Sequence, residues 1–66
     1  MEILISHKSS EPIYEQICTQ IKDMVITGEL IPGDMITSVR ALAKELSIGV
    51  LTVQKAYDRL QQEGVI

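Results

Sequence analysis

Arg40, Thr52, Gln54 and Lys55 are the side chains whose types and spacing best suit recognition chemistry. A glutamine amide sets a donor beside an acceptor and can pair bidentately with N6 and N7 of adenine. A lysine ammonium reaches guanine or a phosphate. A threonine hydroxyl donates to a phosphate, and an arginine fork holds a phosphate or a groove edge. Catalytic groupings do not emerge in the same way. There is no Ser/His/Asp set, no pair of carboxylates flanking a credible cleft and no metal-ligand spacing. His7 and Cys18 each stand alone in their type. A chain of 66 residues leaves little room for a catalytic pocket. The residues therefore point to a binding module that is not an enzyme, needs no cofactor and holds no metal.

The elements that must position those side chains are legible from apolar spacing. Val39, Leu42, Ala43 and Leu46 recur at helical spacing, and so do Val53, Ala56, Tyr57 and Leu60. Ser47, Ile48 and Gly49 lie between the two stripes and read as a tight turn. Two short amphipathic helices joined in this way form a helix-turn-helix, whose second helix enters the DNA major groove. Ala43 supplies the small residue where the helices cross, and Ile48 points inward. Gly49, Val50, Leu51, Gln54, Lys55 and Asp58 then face outward. An αα-hairpin in an unrelated bundle would show the same spacing.

A longer helix is expected ahead of this pair, from about Pro12 to Thr27, with Ser10 or Glu11 as its N-cap and Pro12 in its first turn. Ile13, Ile17, Ile21, Met24 and Val25 form its buried stripe, flanked by Tyr14 and Cys18. Gly28 ends it in a left-handed conformation. Ile31-Pro32-Gly33-Asp34 reads as a turn, and Met35-Ile36-Thr37 as a short extended piece. Thr37 or Ser38 caps the second helix, Val39 to Leu46, without a capping box because Ala41 stands where Glu is needed. The third helix is expected over Val50 to Glu63, with Gly64 as its terminator. Ile3-Leu4-Ile5 is a short strand or an arm that packs on something else. Residues 1–11 are thus an N-terminal arm and residues 12–66 the domain. Val65-Ile66 breaks off as an apolar run, as if the chain were cut there.

Composition narrows the class further. The net charge of −3 argues against a generic nucleic-acid binder, but the charges are unevenly placed. Residues 1–37 carry two bases against six acids, while residues 38–66 carry four bases against three acids. The local field governs the approach of a phosphate. No apolar run is long enough to span a membrane, and the first residues lack the basic start of a signal peptide. A lone cysteine and no export signal make the cytoplasm the expected compartment.

From Pro12 to Ile66 the chain resembles the DNA-binding domain of the GntR family of bacterial transcription regulators. The resemblance rests on GEL-x-PGD (Gly28 to Asp34), SVR-x-LAKEL (Ser38 to Leu46) and TVQKAY-x-x-L (Thr52 to Leu60). PIYEQI and TVQKAY are most similar to the YtrA-type branch, whose members are short. The resemblance implies a mainly α fold: a three-helix winged helix-turn-helix whose two-stranded wing would follow Ile66 and pair with Met35-Ile36. It also implies a homodimer on a near-palindromic operator, a C-terminal effector or dimerisation region, and a role in transcription regulation, as a repressor. The small-molecule effector is left open. Residue by residue, Arg40 matches the family's DNA-contacting arginine and Thr52 a phosphate-contacting threonine. Gln54 and Lys55 match exposed positions of the recognition helix. The chain departs from the pattern at Thr37, where the family has proline, and at Val50 and Leu51, where Arg, Asn or Pro-Asn is common.

The candidate DNA-contacting set is therefore Ser38, Arg40, Gly49, Val50, Leu51, Thr52, Gln54 and Lys55. Val50 and Leu51 have two readings, as contacts to a thymine methyl or as a patch for a protein partner. The second reading leads to an alternative function, a protein-interaction module on a winged-helix scaffold with weakened DNA binding. Lys44 and Arg59 are expected in surface pairs, and Tyr14 and Tyr57 in the core. The domain alone is expected to be mainly monomeric.

Overall fold

The computed structural model describes residues 2–31 and 36–66, which form α1 (Ile13–Thr27), α2 (Val39–Leu46) and α3 (Val50–Gln62). No strand occurs among these residues. The turn expected at Pro32-Gly33-Asp34 and the extended Met35 lie outside them.

α3 is the spine of the fold and packs against both α1 and α2. Its apolar stripe, Val53, Ala56, Tyr57 and Leu60, is buried along its whole length. Ile17 and Ile21 of α1 and Leu42 of α2 meet it with no exposed surface. Ala43 is also buried, as a close crossing of α2 and α3 requires. Ile13, Met24, Val39, Leu46 and Ile48 close the edges as half-buried side chains. Burying a side chain of the Ile or Leu size stabilises by roughly 1.5–3 kcal/mol, so this small set supplies most of the drive for folding.

The helix ends follow local chemistry. The Ser38 hydroxyl accepts from the Ala41 N–H at 3.2 Å and caps α2. After α2, Ser47 takes a left-handed conformation (φ 55°). Its N–H donates to Lys44 O at 3.3 Å, and the Ile48 N–H donates to Ala43 O at 3.0 Å. These two bonds form a Schellman motif, and they fix the turn that aims α3. Gly64 (φ 74°) repeats the motif at the end of α3 through Gly64 N–H to Gln61 O and Val65 N–H to Leu60 O.

Two boundaries differ from expectation. α1 begins at Ile13, and Pro12 itself is the N-cap residue, without a side-chain cap. Neither Ser10 nor Glu11 caps it. A residue before proline is held out of the helical region, so Glu11 stays outside the helix. The Pro12 carbonyl takes the Glu15 and Gln16 N–H groups. At the other end α3 stops at Gln62, because Glu63 is the half-helical residue before left-handed Gly64.

The N-terminal arm packs on its own domain. Ile3 is buried in the core, Ile5 packs against it, and Leu4 between them is exposed. Two glutamines of α1 hold this segment. Gln16 accepts from the Ser6 N–H at 2.8 Å and donates to the Ser6 and Glu11 carbonyls at 3.0 and 2.9 Å. One turn on, Gln20 accepts from the Leu4 N–H at 2.8 Å and donates to the Leu4 carbonyl. Each amide thus does for one arm residue what a neighbouring strand would do.

Candidate nucleic-acid interface

The turn between α2 and α3 leaves the start of α3 standing clear of the domain. Gly49, Val50, Leu51, Gln54 and Lys55 are all exposed there, as the helical period predicts. Thr52, on the same turn, is half-buried. Leu51 is 84% exposed, the most open large apolar side chain among the described residues, and Val50 is 46% exposed.

Gly49 is the N-cap of α3 and has no side chain to occupy the first N–H groups. Its carbonyl accepts from Thr52 and Val53. The N–H groups of Val50 and Leu51 have no acceptor among the described residues. They sit at the positive end of the helix dipole, a favourable place for an anion. A Cβ added at Gly49 would meet nothing within 4 Å, so the open helix end does not result from crowding.

Arg40 lies in the first turn of α2, exposed and without an ion pair among the described residues. Ser38 commits its hydroxyl to capping α2. That hydroxyl fixes where Arg40 emerges, and its role in the set is first of all to shape the backbone.

Gln54 and Lys55 are engaged by neighbours. Gln54 Nε2 donates to Asp58 Oδ1 at 2.8 Å, one turn along α3. Lys55 Nζ lies 4.0 Å from the centroid of the Tyr14 ring, a cation–π contact between α3 and α1. Tyr14 packs against the edge of the core rather than within it. It is half-buried, and its ring is a platform beside the recognition helix. Its hydroxyl donates to Glu15 at 3.3 Å and accepts from Arg59 Nη1 at 3.4 Å. The reason is positional: Tyr14 lies on α1 next to the side that meets α3, where a long ring reaches past the core to the charged rim.

That rim is a network of ions. Arg59 bonds Glu63 at 3.1 Å and lies 3.7 Å from Glu15, and Lys22 reaches Glu63 at 2.5 Å. The expected surface pairing of Arg59 is thus present. Hydrogen bonds from Lys22 and then Arg59 hold the Glu63 carboxyl below its ordinary pKa. The hydrogen bond to Glu63 raises that of the Arg59 guanidinium. These groups are exposed, so their contribution to stability is small. The network pairs Lys22 and Arg59 with acids along the flank of α3, while Arg40, Lys44 and Lys55 have no ion pair among the described residues.

Tyr57 lies in the core, as expected, and its hydroxyl donates to the Thr37 carbonyl at 2.5 Å. Burial, and then the Glu45 charge, push the phenol up to about 12. Cys18 is also buried and donates to Ala56 O at 3.5 Å; burial raises its thiol pKa above the ordinary value. No cluster of metal-ligating side chains occurs among the described residues.

A capped α2, a tight left-handed turn and an α3 whose first turn stands open are the layout of a helix-turn-helix domain. Residues 13–66 match the family model described as bacterial regulatory proteins, gntR family, and the chain belongs to that family. It is 47% identical over 64 residues to the HTH-type transcriptional repressor YtrA of Bacillus subtilis, covering 97% of this chain and 49% of that protein. Among solved structures it resembles YtrA from Sulfolobus acidocaldarius, a GntR-family transcription factor, at 48% identity and a TM-score of 0.91. That match covers 94% of this chain and 53% of the other. A transcriptional antiterminator from Listeria monocytogenes is similar at 40% identity and a TM-score of 0.88, over 94% of this chain and 46% of that one. The chain spans about half the length of these relatives.

Proposed function

We propose that residues 12–66 form the reading head of a transcription regulator that acts as a repressor, with residues 1–11 as a strap across its first helix. Two copies within a dimer would place their third helices in successive major grooves of a near-palindromic operator. The observation that carries this reading is the tip of α3. It joins uncapped N–H groups at Val50 and Leu51 to a row of outward side chains with Gln54 at its centre.

Roles follow from chemistry. The α3 N-terminus and Thr52 hold one phosphate, and Arg40 holds another or enters the groove edge. Gln54 reads a base edge, and Lys55 swings from the Tyr14 ring to guanine or a phosphate. Val50 and Leu51 have no polar side-chain atoms and lie against thymine methyls. Gly49 lets the backbone approach the duplex, and Ser38 sets the angle of α2. The module carries no catalysis and needs no cofactor. Among the described residues no helix is long and apolar enough to cross a membrane, and a regulator of this kind works in the cytoplasm.

The reading is tested by selecting bound duplexes from a randomised library and titrating the selected duplex at two salt concentrations. An inverted repeat whose affinity falls steeply with salt is expected. Failure to enrich any duplex by a folded protein would sink it. A salt-insensitive complex with a protein would favour the interaction-module alternative, which the exposure of Leu51 motivates.

A further inference from the structure

We infer that Asp58 sets which base Gln54 reads, by fixing the direction of the Gln54 amide. This rests on the proposed DNA-reading role of α3 and names a specificity determinant within it.

An amide can present its oxygen or its nitrogen to a partner, and the two orientations are nearly equal in energy on an open surface. Here the choice is not free. Asp58 offers only acceptor atoms, so the neighbouring end of Gln54 must be the nitrogen. The structure has that arrangement, with Nε2 donating to Oδ1 at 2.8 Å. The spacing of four residues puts both side chains on one stripe of the helix, where Gln and Asp are known partners. Both residues are exposed, and no other group among the described residues bonds either one. Oε1 is therefore the end of Gln54 left without a partner, and Nε2 keeps one further hydrogen.

An outward acceptor matches a base that donates in the major groove. Adenine presents the N6 amino group beside N7, and so takes both the oxygen and the remaining N–H. Guanine presents only acceptors at O6 and N7, and thymine only O4. Cytosine also donates, from N4, but has no acceptor of its own beside it for the remaining N–H, so only adenine satisfies both atoms. Asp58 thus biases a side chain that could read several bases toward adenine. Asp58 does not touch the base; it acts through Gln54.

The test compares the protein with its Asp58→Asn, Asp58→Glu and Gln54→Ala variants on duplexes carrying each base at every position of the selected site. Gln54→Ala locates the base pair beneath Gln54 as the position where preference is lost. The parent is expected to prefer adenine there by about fivefold or more over guanine. An asparagine side chain can donate as well as accept. Asp58→Asn therefore lets the amide turn over, and the adenine-to-guanine ratio should fall toward one. Asp58→Glu keeps an acceptor-only partner and should keep the preference. Removal of a negative charge shifts affinity for all sequences together, so the ratio between bases isolates the orienting effect. An unchanged adenine ratio in Asp58→Asn, or a parent that prefers guanine at that position, overturns the inference while leaving α3 as the reading helix. If no duplex is enriched by the parent, the DNA-reading role fails and this inference fails with it.

Discussion

The Tyr57 hydroxyl donates a 2.5 Å hydrogen bond to the Thr37 carbonyl, tying the middle of α3 to the backbone just before the Ser38 cap. The stretch that leads into α2 is therefore held by α3. Thr37 stands where proline is usual in the resembled family, and this bond ties its carbonyl to α3.

Tyr57→Phe should cost about 1–2 kcal/mol, since a partly buried carbonyl loses its donor. The phenol pKa is raised above its unfolded value near 10, to about 12. The folded state therefore holds the proton more tightly. The associated stability is present below pH 10 and is lost as pH rises toward 12. Urea denaturation from about pH 8 upward should show a steeper alkaline loss for the parent than for Tyr57→Phe. Parallel alkaline limbs would contradict the raised phenol pKa that burial causes.

Gly49→Asp separates folding from binding. The new carboxylate can cap the open N–H groups of α3 in space that is empty. A gain of a few tenths of a kcal/mol in stability is expected. The same charge occupies the proposed phosphate seat, so DNA affinity should drop by about tenfold or more. Denaturation and duplex titration on one preparation read both effects, and undiminished DNA binding would move the phosphate elsewhere.

Arg40→Ala and Gln54→Ala should fail in different ways. Loss of a phosphate contact weakens all sequences alike and lowers the salt slope by about one. Loss of a base contact relaxes one position by about 1–3 kcal/mol. Two variants that bind like the parent would exclude this docking of α2 and α3.

Gln16→Ala should free the arm. The Ser6 amide and the Ser6 and Glu11 carbonyls lose the partner they share. The Ser6 amide should exchange with solvent about tenfold faster, read by hydrogen exchange, while amides in the middle of α3 keep their protection. Unaltered exchange at Ser6 would mean that buried Ile3 and the Gln20 bonds to Leu4 suffice to hold the arm.

The helices were legible because each carries a full apolar stripe at helical period. Leu42 and Ala43, then Val53, Ala56, Tyr57 and Leu60, are buried where that period places them. Ser38, Gly28 and Gly64 marked helix ends by chemistry that acts within a few residues. The arm was less legible. Ile3-Leu4-Ile5 is too short to show a period, and its partners Gln16 and Gln20 are distant in sequence. Their spacing of four on one side of α1 was the available signal. The outward positions of the candidate site also followed from period alone. What their side chains touch did not, because the Tyr14–Lys55 contact depends on how α1 crosses α3. The Gln54–Asp58 bond, by contrast, has a local signature that a search for i,i+4 pairs would find.

The most direct test of the central claim is a map of amide chemical-shift changes as the selected duplex is titrated in. The largest changes are expected at Ser38 and Arg40 and from Gly49 to Lys55, with the arm and Gln16 little affected. Changes centred on the arm and the outer face of α1, with α3 silent, would contradict the assignment of α3 as the helix that reads DNA.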